Sequence, residues 1–291
     1  MNEREALGLL GRTLEPVGDD AAVVDGQVLT TDMLHETTDF PDGTTRYTAG
    51  WRSVGASLSD VAAMGASATA AVAAYAAPTF EESEITAFVE GARDVCRSVD
   101  GAYVGGDLDD HDEFTVATTA LGATDGPVFR HGASPGEAVL VTGTLGRSGA
   151  GLQEFRRGNV ERGNELFQFT PRIDAGLALR PYATAMMDSS DGLARSLHQL
   201  ADASGCGFAI ERAALPIDEA VDSVAEDARE RLELGCFFGE DFELVCTVPE
   251  AAVGEVMDAV PGELTRIGTT VQSGLSLDDD PLPDRGYTHG E

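Results

Sequence analysis

Asp60 constrains the fold of this chain strongly, because it interrupts a segment of small and apolar side chains. Residues 44–64 predict one long helix, and Leu58 and Val61 lie close to the carboxylate in that segment. A carboxylate is costly to bury unless a cation or hydrogen-bond donors meet it. The chain must therefore fold so that other polar or charged groups converge on Asp60.

Further aspartates occupy similar settings, each at the end of a predicted strand or helix and close to small residues. They are Asp20 before the run 21–24, Asp32 after the run 27–31, Asp107 after a Gly pair, and Asp188 and Asp191 between a strand and a helix. Taken singly, each could cap a turn or a helix. If they converge, their mutual repulsion raises some pKa values unless divalent ions occupy the site. Oxygen ligands without nearby His or Cys favour Mg²⁺ over Zn²⁺.

The segment from Asp188 to Asp191 adds a phosphate-binding hypothesis. Ser190 and Asp191 precede a predicted helix over residues 192–203, and helix N-termini present free N–H groups to phosphate. Arg130 could add a fork of donors to a polyphosphate. The alternatives at this point are an ordinary N-cap at Ser190 or Asp191 and a surface arginine at Arg130.

The charge balance excludes several classes of function. The chain has 51 acidic and 19 basic residues, a formal net charge of −32, and every basic residue is arginine. Without lysine, neither a Walker A loop nor a protein-kinase active site can form. No basic patch favours a nucleic-acid partner. An ATP-using enzyme of this composition must neutralise phosphate with metal ions, backbone N–H groups and arginine.

The alternation of strand-like and helix-like runs predicts an α/β (α+β) fold. Strands are predicted at 21–24, 27–31, 68–76, 103–105 and 113–122, and helices at 3–14, 44–64 and 81–99, with Thr79 as N-cap of the last. The strand at 103–105 is predicted to break at its Gly pair. After a turn-like stretch at 126–136, a second series of predicted strands and helices runs from 138 to 267. No run of about 18 apolar residues predicts a membrane span, and no signal peptide is evident, so we expect a cytoplasmic protein.

Eight motifs, in this order, resemble the thiamine-monophosphate kinase family along nearly the whole chain. They are GDDAAVV at 18–24, TDML at 31–34, LSDVAAMGA at 58–66, GGD at 105–107, VTGTLG at 141–146, DSSDGL at 188–193, GEDFEL at 239–244 and RIG at 266–268. The resemblance implies the two-domain PurM-like fold of the aminoimidazole-ribonucleotide-synthetase superfamily. An N-terminal sheet domain, residues 1–126, would form a homodimer, and a C-terminal α/β domain, residues 127–291, would close over nucleotide and substrate.

The resemblance also implies a role for each matching residue. Mg²⁺ ligands are implied at Asp20, Thr30, Thr31, Asp32, Asp60, Asp107, Asp188 and Asp191. Contacts to ATP, the co-substrate, are implied at Gly106, Asp107, Arg130 and Ser190. Contacts to thiamine monophosphate are implied at Glu240 and Tyr287, and at Asp39, where the family often carries a histidine.

The implied reaction converts ATP and thiamine monophosphate to ADP and thiamine diphosphate by direct in-line transfer. The attacking phosphate oxygen is largely ionised near neutral pH, because its second pKa is about 6. No general base is then required, and no catalytic side chain is assigned. The alternatives are another superfamily enzyme such as aminoimidazole ribonucleotide synthetase, a metal-dependent phosphatase, and a non-catalytic nucleotide- or metal-binding regulator.

We predict that folding depends on salt, because a net charge of −32 repels itself in dilute buffer and abundant cations screen it. Such a chain suits a salt-rich cytoplasm, as in halophilic archaea. Circular dichroism in molar KCl should show a folded protein, and the folded signal should decline on dialysis into dilute buffer. An unchanged signal in both conditions would contradict this prediction.

Overall fold

The computed structural model of the chain describes Leu14 and residues 18–287. The predicted helix at 3–14 therefore lies, apart from Leu14, outside the described residues. In these residues, the strands form one five-stranded and one seven-stranded sheet. The strands are β1 (Ala22–Val24), β2 (Gln27–His35), β3 (Ser67–Ala77), β4 (Ala102–Asp110), β5 (Thr115–Ala123), β6 (Ala138–Thr142), β7 (Ala185–Asp188), β8 (Gly207–Ile210), β9 (Leu244–Val248), β10 (Leu264–Val271), β11 (Leu275–Leu277) and β12 (Asp280–Pro281).

The helices lie between these strands. They are α1 (Glu36–Asp39), α2 (Arg46–Ala63), α3 (Glu82–Ser98), α4 (Arg147–Arg156), α5 (Val160–Phe167), α6 (Ile173–Leu179), α7 (Leu193–Ser204), α8 (Glu219–Val224), α9 (Ala228–Leu232) and α10 (Val253–Ala259). A π-helical turn follows α9 at Glu233–Phe237, and short 3₁₀ turns lie at Arg212–Ala214 and Glu250–Ala252.

The first sheet has the strand order β1-β2-β5-β3-β4. Only β3 and β4 run parallel; the other neighbouring strands of this sheet are antiparallel. The register places Thr118 of β5 between Asp32 of β2 and Ala73 of β3, and Ala73 beside Gly106 of β4. The GGD segment is therefore on the edge strand, three strands away from Asp32.

Helices α2 and α3 pack together at very short distance because glycines face the contact. A Cβ atom at Gly50 of α2 would lie 2.1 Å from the carbonyl oxygen of Phe88, and one at Gly91 of α3 would lie 2.0 Å from that of Tyr47. Any larger side chain at either glycine would push the two helices apart. The small residues of α2 thus hold this helix, and Asp60 with it, in a fixed position.

The second sheet has the order β12-β11-β8-β10-β6-β9-β7, with only β8 and β11 parallel among its neighbours. Strand β7 is buried along its whole length and ends on Asp188. Helix α2 contacts β7 as well as the first sheet. The end of β7 is thereby brought to the helix that carries Asp60.

The two mixed sheets with their helices agree with the predicted α/β (α+β), PurM-like two-domain fold. The division at residues 126 and 127 stays a prediction. No helix among the described residues is long and apolar enough to cross a bilayer.

Two local predictions are wrong. The residue before α3 is Glu81, not Thr79, because the backbone stays extended through Glu81, and no side chain caps this end. Strand β4 continues through its Gly pair to Asp110. Gly105 adopts a φ of 143° beside a bulge at Val104 of β4, and Gly106 approaches the Ala73 carbonyl so closely that a Cβ atom would overlap it.

Candidate active site

Three carboxylates converge where the two sheets meet. Asp20, Asp60 and Asp188 each offer one oxygen, and these oxygens all lie within 4.8 Å of one another. Asp20 lies just before β1, Asp60 lies in α2, and Asp188 ends β7. We call these three residues the carboxylate cluster. The cluster joins elements from both halves of the chain. Polar and charged groups thus converge on Asp60, as expected for a carboxylate in an apolar helix.

Hydroxyl groups orient the carboxylates in and beside the cluster. Thr30 Oγ1 donates a hydrogen bond to Asp60 Oδ2 at 2.5 Å, and Ser59 Oγ donates to Asp188 Oδ2 at 2.6 Å. Ser57 Oγ donates to Asp32 Oδ2 at 2.5 Å. Sequence reasoning missed both serines, although Ser57 and Asp60 are three residues apart and share one face of a helix.

Burial and neighbouring carboxylates raise the pKa of Asp60 and of Asp188. Burial raises the pKa of Asp60 well above its ordinary value, and the charges of Asp32, Asp188 and Asp20 raise it further. Burial also raises the pKa of Asp188 to about 7, with a further contribution from Asp20, and it raises that of Asp32. The described side chains therefore leave much of this negative charge uncompensated. An all-oxygen donor set of this charge fits a hard divalent cation such as Mg²⁺.

Arg130 and Ser190, both predicted nucleotide contacts, flank the carboxylate cluster. Arg130 Nη2 lies 2.9 Å from Asp20 Oδ1, and its Nε donates to Asp20 Oδ2 at 3.3 Å. The Ser190 backbone N–H donates to Asp188 Oδ1 at 3.2 Å. A guanidinium and the N-terminal approach to α7 thus adjoin the three acids. This arrangement suits a polyphosphate bound through cations.

Other predicted ligands lie outside the cluster in a single copy of the chain. Thr31 is on the opposite face of β2 from Thr30 and Asp32, and its hydroxyl donates to the Thr118 carbonyl at 2.8 Å. Asp107 follows Gly106 on the edge strand β4, so it is three strand spacings, or about 14 Å, from Asp32. The remaining one, Asp191, lies just before α7 and accepts from Gln199 Nε2 at 3.5 Å.

All three predicted substrate residues line one cavity of about 500 Å³. Asp39 enters it from α1, Glu240 from the loop before β9, and Tyr287 from the end of the described chain. Glu36, Asp42 and Arg156 add charged groups, and Phe167 and Phe238 add rings, to the same wall. The cavity is thus acidic and partly aromatic, which suits a cationic ring system. We call it the substrate cavity.

A second cavity of about 630 Å³ lies between α3 and β4. Gly106 and Asp107 form part of its wall, and the rest is mainly apolar, with Val89, Tyr103 and Leu108 among its residues. An apolar slot beside the predicted nucleotide residues could take a flat base. We call it the edge cavity.

Comparison with known proteins identifies the family of the chain. Family models described as AIR synthase related protein match residues 18–124 with an N-terminal domain and residues 134–280 with a C-terminal domain. A thiamine-monophosphate kinase of Halobacterium salinarum is 59% identical to this chain over 99% of it and 100% of the relative. One of Methanospirillum hungatei is 37% identical over 99% of each. The chain belongs to the thiamine-monophosphate kinase family.

A solved structure of AaThiL complexed with AMPPCP and TMP has the same fold. Its TM-score is 0.90 at 29% identity, and the match covers 99% of this chain and 97% of that one. The resemblance, the fold and the kinase activity predicted from the motifs are confirmed by these matches. Aminoimidazole ribonucleotide synthetase and a non-catalytic regulator are not favoured.

In this member of the thiamine-monophosphate kinase family, the carboxylate of Asp39 is engaged by its own turn. Asp39 Oδ2 accepts from the His35 backbone N–H at 2.7 Å and from Thr38 Oγ1 at 2.8 Å. At the other wall, the Tyr287 backbone N–H donates to the Asp191 carbonyl at 3.1 Å. The end of the described chain is therefore fastened to the loop that carries two predicted ligands.

The loop that carries Glu240 is strained and firmly held. Glu240 and Phe242 have φ values of 62° and 55°, which L residues rarely adopt. Asp241 between them accepts from the backbone N–H groups of Gly146 and Ser148 at the start of α4. The Glu240 N–H donates to the Ser190 carbonyl at 2.6 Å. Backbone strain of this kind persists only where the surroundings fix it, and it is concentrated at functional sites.

We predict that the stability of the metal-free protein falls as pH rises from about 4 to about 7. Because the folded-state pKa of Asp188 is raised to about 7 from an ordinary value of 3.8, the folded chain binds more protons than the unfolded chain in this window. Asp60→Asn should make the fall shallower, since the raised pKa of Asp60 acts in the same direction.

Denaturant unfolding in molar KCl with EDTA, at several pH values, measures both slopes. Asp258→Asn, in the exposed helix α10, is the control and should keep the wild-type slope. Equal slopes for Asp60→Asn and wild type would contradict the assignment.

Proposed function

We propose that the protein transfers the γ-phosphoryl group of ATP to thiamine monophosphate, with the carboxylate cluster holding Mg²⁺. The observation that carries this proposal is the convergence of Asp20, Asp60 and Asp188 within 4.8 Å, beside a loop that reaches the substrate cavity. Ser190 belongs to that loop, and its carbonyl accepts the Glu240 N–H at 2.6 Å. The proposed cation, nucleotide and substrate sites would thus be adjacent.

Asp20, Asp60 and Asp188 would hold the metal, with Thr30 and Asp32 beside them and Asp191 on the following loop. Mg²⁺ held there would supply positive charge to the phosphate oxygens of the two polyanions. Arg130 would add its fork to the same phosphates, and Ser190 would meet them at the approach to α7. No side chain needs to accept a proton, because the attacking phosphate oxygen is already ionised with a pKa of about 6.

Thiamine monophosphate would occupy the substrate cavity. Its positively charged thiazolium ring suits a wall that carries Glu36, Asp39, Asp42 and Glu240. Burying that ring beside carboxylates replaces part of its hydration with fixed negative charge. Tyr287 supplies an aromatic face at the same wall, which suits stacking on either ring of the substrate.

The outer face of the first sheet supports a homodimer. Met33 is 57% exposed, and Val24, Leu29 and Val72 are also large apolar residues exposed on this side. Such a face is unusual on a chain with 24% charged residues, and exposed apolar patches mark interfaces. Its strands are long, so two copies could pack sheet against sheet.

This dimer would also bring two of the remaining predicted ligands, Thr31 of one copy and Asp107 of the other, close together. Thr31 and Asp107 both lie on the outer face, since Asp107 pairs with the exposed Ala74. Three strand spacings, or about 14 Å, separate Thr31 from the level of Gly105 in β4, and Asp107 lies two residues further along. Asp107 of a second copy could instead approach Thr31 from the facing sheet. The edge cavity, with Gly106, would then receive the base of an ATP whose phosphates lie at the partner's cluster.

The proposed location is the cytoplasm of a salt-rich cell. The net charge of −32 needs abundant cations for screening, and a relative of 59% identity comes from Halobacterium salinarum. Potassium at molar concentration would reduce the repulsion that the acidic surface imposes on the compact state. We therefore expect full activity in molar KCl.

We predict that wild-type protein forms ADP and thiamine diphosphate from ATP and thiamine monophosphate with Mg²⁺ in molar KCl. Asp60→Asn should lower kcat by about a thousandfold or more, because it removes a charged ligand from the centre of the cluster. The fold should be kept, since an amide still accepts from Thr30 Oγ1. A coupled ADP assay with chromatography of thiamine diphosphate measures both products.

Asp258→Asn, which changes an exposed helical aspartate to the same amide, is the matched control and should retain wild-type turnover. A panel of other phosphorylated metabolites tests substrate choice. Near-native activity of Asp60→Asn would sink the metal-cluster mechanism. Phosphate release without thiamine diphosphate would instead support a phosphatase, and binding without product would support a regulator.

We also predict that Met33→Asp dissociates the homodimer, because it places a carboxylate in the centre of the apolar face. Light scattering in molar KCl should give the dimer mass for wild type and the monomer mass for the variant, with turnover lost in parallel. Met257→Asp, on the exposed side of α10 where Met257 is 43% exposed, is the matched control and should remain dimeric. A fully active wild-type monomer would contradict the shared site.

A further inference from the structure

Arg52 is a fully buried arginine in the middle of α2. Its exposed fraction is 0%, and its guanidinium carbon lies 4.4 Å from the centre of the Phe167 ring. Nη1 donates to the Phe167 carbonyl at 2.9 Å. Arg52 therefore reaches from the helix that carries Asp60 into residues of the second half of the chain. None of the motifs that indicate the family's ligands and substrate contacts includes it.

Arg52 grips Glu240, which lines the substrate cavity. Nη2 donates to Glu240 Oε2 at 2.5 Å and to the Glu240 carbonyl at 3.1 Å. Ser148 Oγ lies 3.3 Å from both terminal nitrogens and donates to the same carbonyl at 2.6 Å. One guanidinium thus fixes both the side chain and the backbone of a residue whose φ is 62°.

Stability alone does not account for an arginine at this place. Arg52 Nε is buried without a hydrogen-bond partner in the described structure, and a buried donor without a partner destabilises the folded state. Replacing a buried ion pair with packed apolar residues is often neutral or stabilising. A large apolar side chain would also fill the space among Phe167, Phe169 and Phe242. Such a side chain would lack the hydrogen bonds that Arg52 donates to Glu240.

We propose that Arg52 is a positioning residue, which holds Glu240 in one orientation at the wall of the substrate cavity. Resting on the proposed function, this assigns to Arg52 an effect on the binding of thiamine monophosphate that is exerted through Glu240. Oε2 is taken by the guanidinium, and no described residue hydrogen-bonds Oε1, so one carboxylate oxygen remains for the ligand. Fixing that oxygen before binding lowers the entropy lost when the substrate enters.

Arginine suits this role better than lysine would. Its planar fork lets Nη1 reach Phe167 while Nη2 reaches two atoms of Glu240. An ammonium is a point charge on a flexible stem and fixes direction less well. Arg52→Lys should therefore keep the charge balance and recover only part of the binding. Arg52→Gln should remove both charge and fork.

The test compares KM for thiamine monophosphate with KM for ATP in molar KCl. We expect Arg52→Gln to raise KM for thiamine monophosphate by about tenfold or more while changing KM for ATP by less than about threefold. Arg52→Lys should fall between Arg52→Gln and wild type. In a Glu240→Gln background the further change to Arg52→Gln should alter KM by less than about twofold, since Arg52 acts through Glu240.

Arg172→Gln is the matched control. Arg172 pairs with Glu243 in the same loop region, where the Glu243 side chain is only 5% exposed, and neither residue lines the substrate cavity. The Arg172→Gln change should lower the melting temperature and leave the KM values for thiamine monophosphate and ATP unchanged. Arg52 variants that lower only the melting temperature, or Arg172→Gln raising the same KM, would overturn the proposal.

Failure of both Arg52→Gln and Arg52→Lys to fold in molar KCl would also overturn it, because the residue would then serve stability. A wild-type protein without turnover of thiamine monophosphate would instead refute the proposed function, so the two failures are distinguishable.

Discussion

The mutual repulsion of Asp20, Asp60 and Asp188 is the constraint on which the rest of the structure depends. Three carboxylate oxygens within 4.8 Å are tolerated only where donors and cations reduce their charge. Thr30 and Ser59 supply hydroxyl donors, and Arg130 supplies a guanidinium to Asp20. The raised pKa values of Asp60 and Asp188 indicate that these groups do not suffice. A site of this kind is built for added positive charge.

The packing of α2 holds the three carboxylates close together despite their repulsion. Gly50 and Gly91 let α2 and α3 approach until backbone meets backbone, and the end of β7 lies against the same helix. The three carboxylates therefore cannot move apart without disrupting the packing of α2 against α3 and β7. The same helix then reaches the substrate cavity through Arg52 and Glu240. One rigid element thus connects the proposed metal ligands to a proposed substrate contact.

The sequence predicted the members of the cluster but not its partners. Asp60 was predictable because a carboxylate in an apolar helix needs hydrogen-bond donors or cations near it. Asp20 and Asp188 were predictable because the strands next to them are short apolar runs bounded by turn residues. The extent of β4 was not predictable, because Gly105 and Gly106 usually end a strand and here permit a bulge and a close approach. Arg52 and Glu240 are 188 residues apart, so only the tertiary fold reveals their contact.

The orientation of the remaining ligands was also hidden from motif reasoning. Thr30, Thr31 and Asp32 are consecutive, yet alternate residues of a strand face opposite sides, so Thr31 shares the outer face with Asp107 rather than with the cluster. A list of ligands carries no information about which copy of the chain supplies them. The register of β2, β5, β3 and β4 shows only that Thr31 and Asp107 lie on the outer face, which supports the proposed homodimer.

The most direct test of the metal-cluster account is anomalous scattering from crystals grown in molar KCl with Mn²⁺ and a non-hydrolysable ATP analogue. The account predicts manganese peaks within coordination distance, about 2.0–2.3 Å, of oxygens from Asp20, Asp60 and Asp188. With the analogue bound, the phosphates should lie on the side of Arg130 and Ser190. A nucleotide bound with no manganese at these three carboxylates would contradict the central claim.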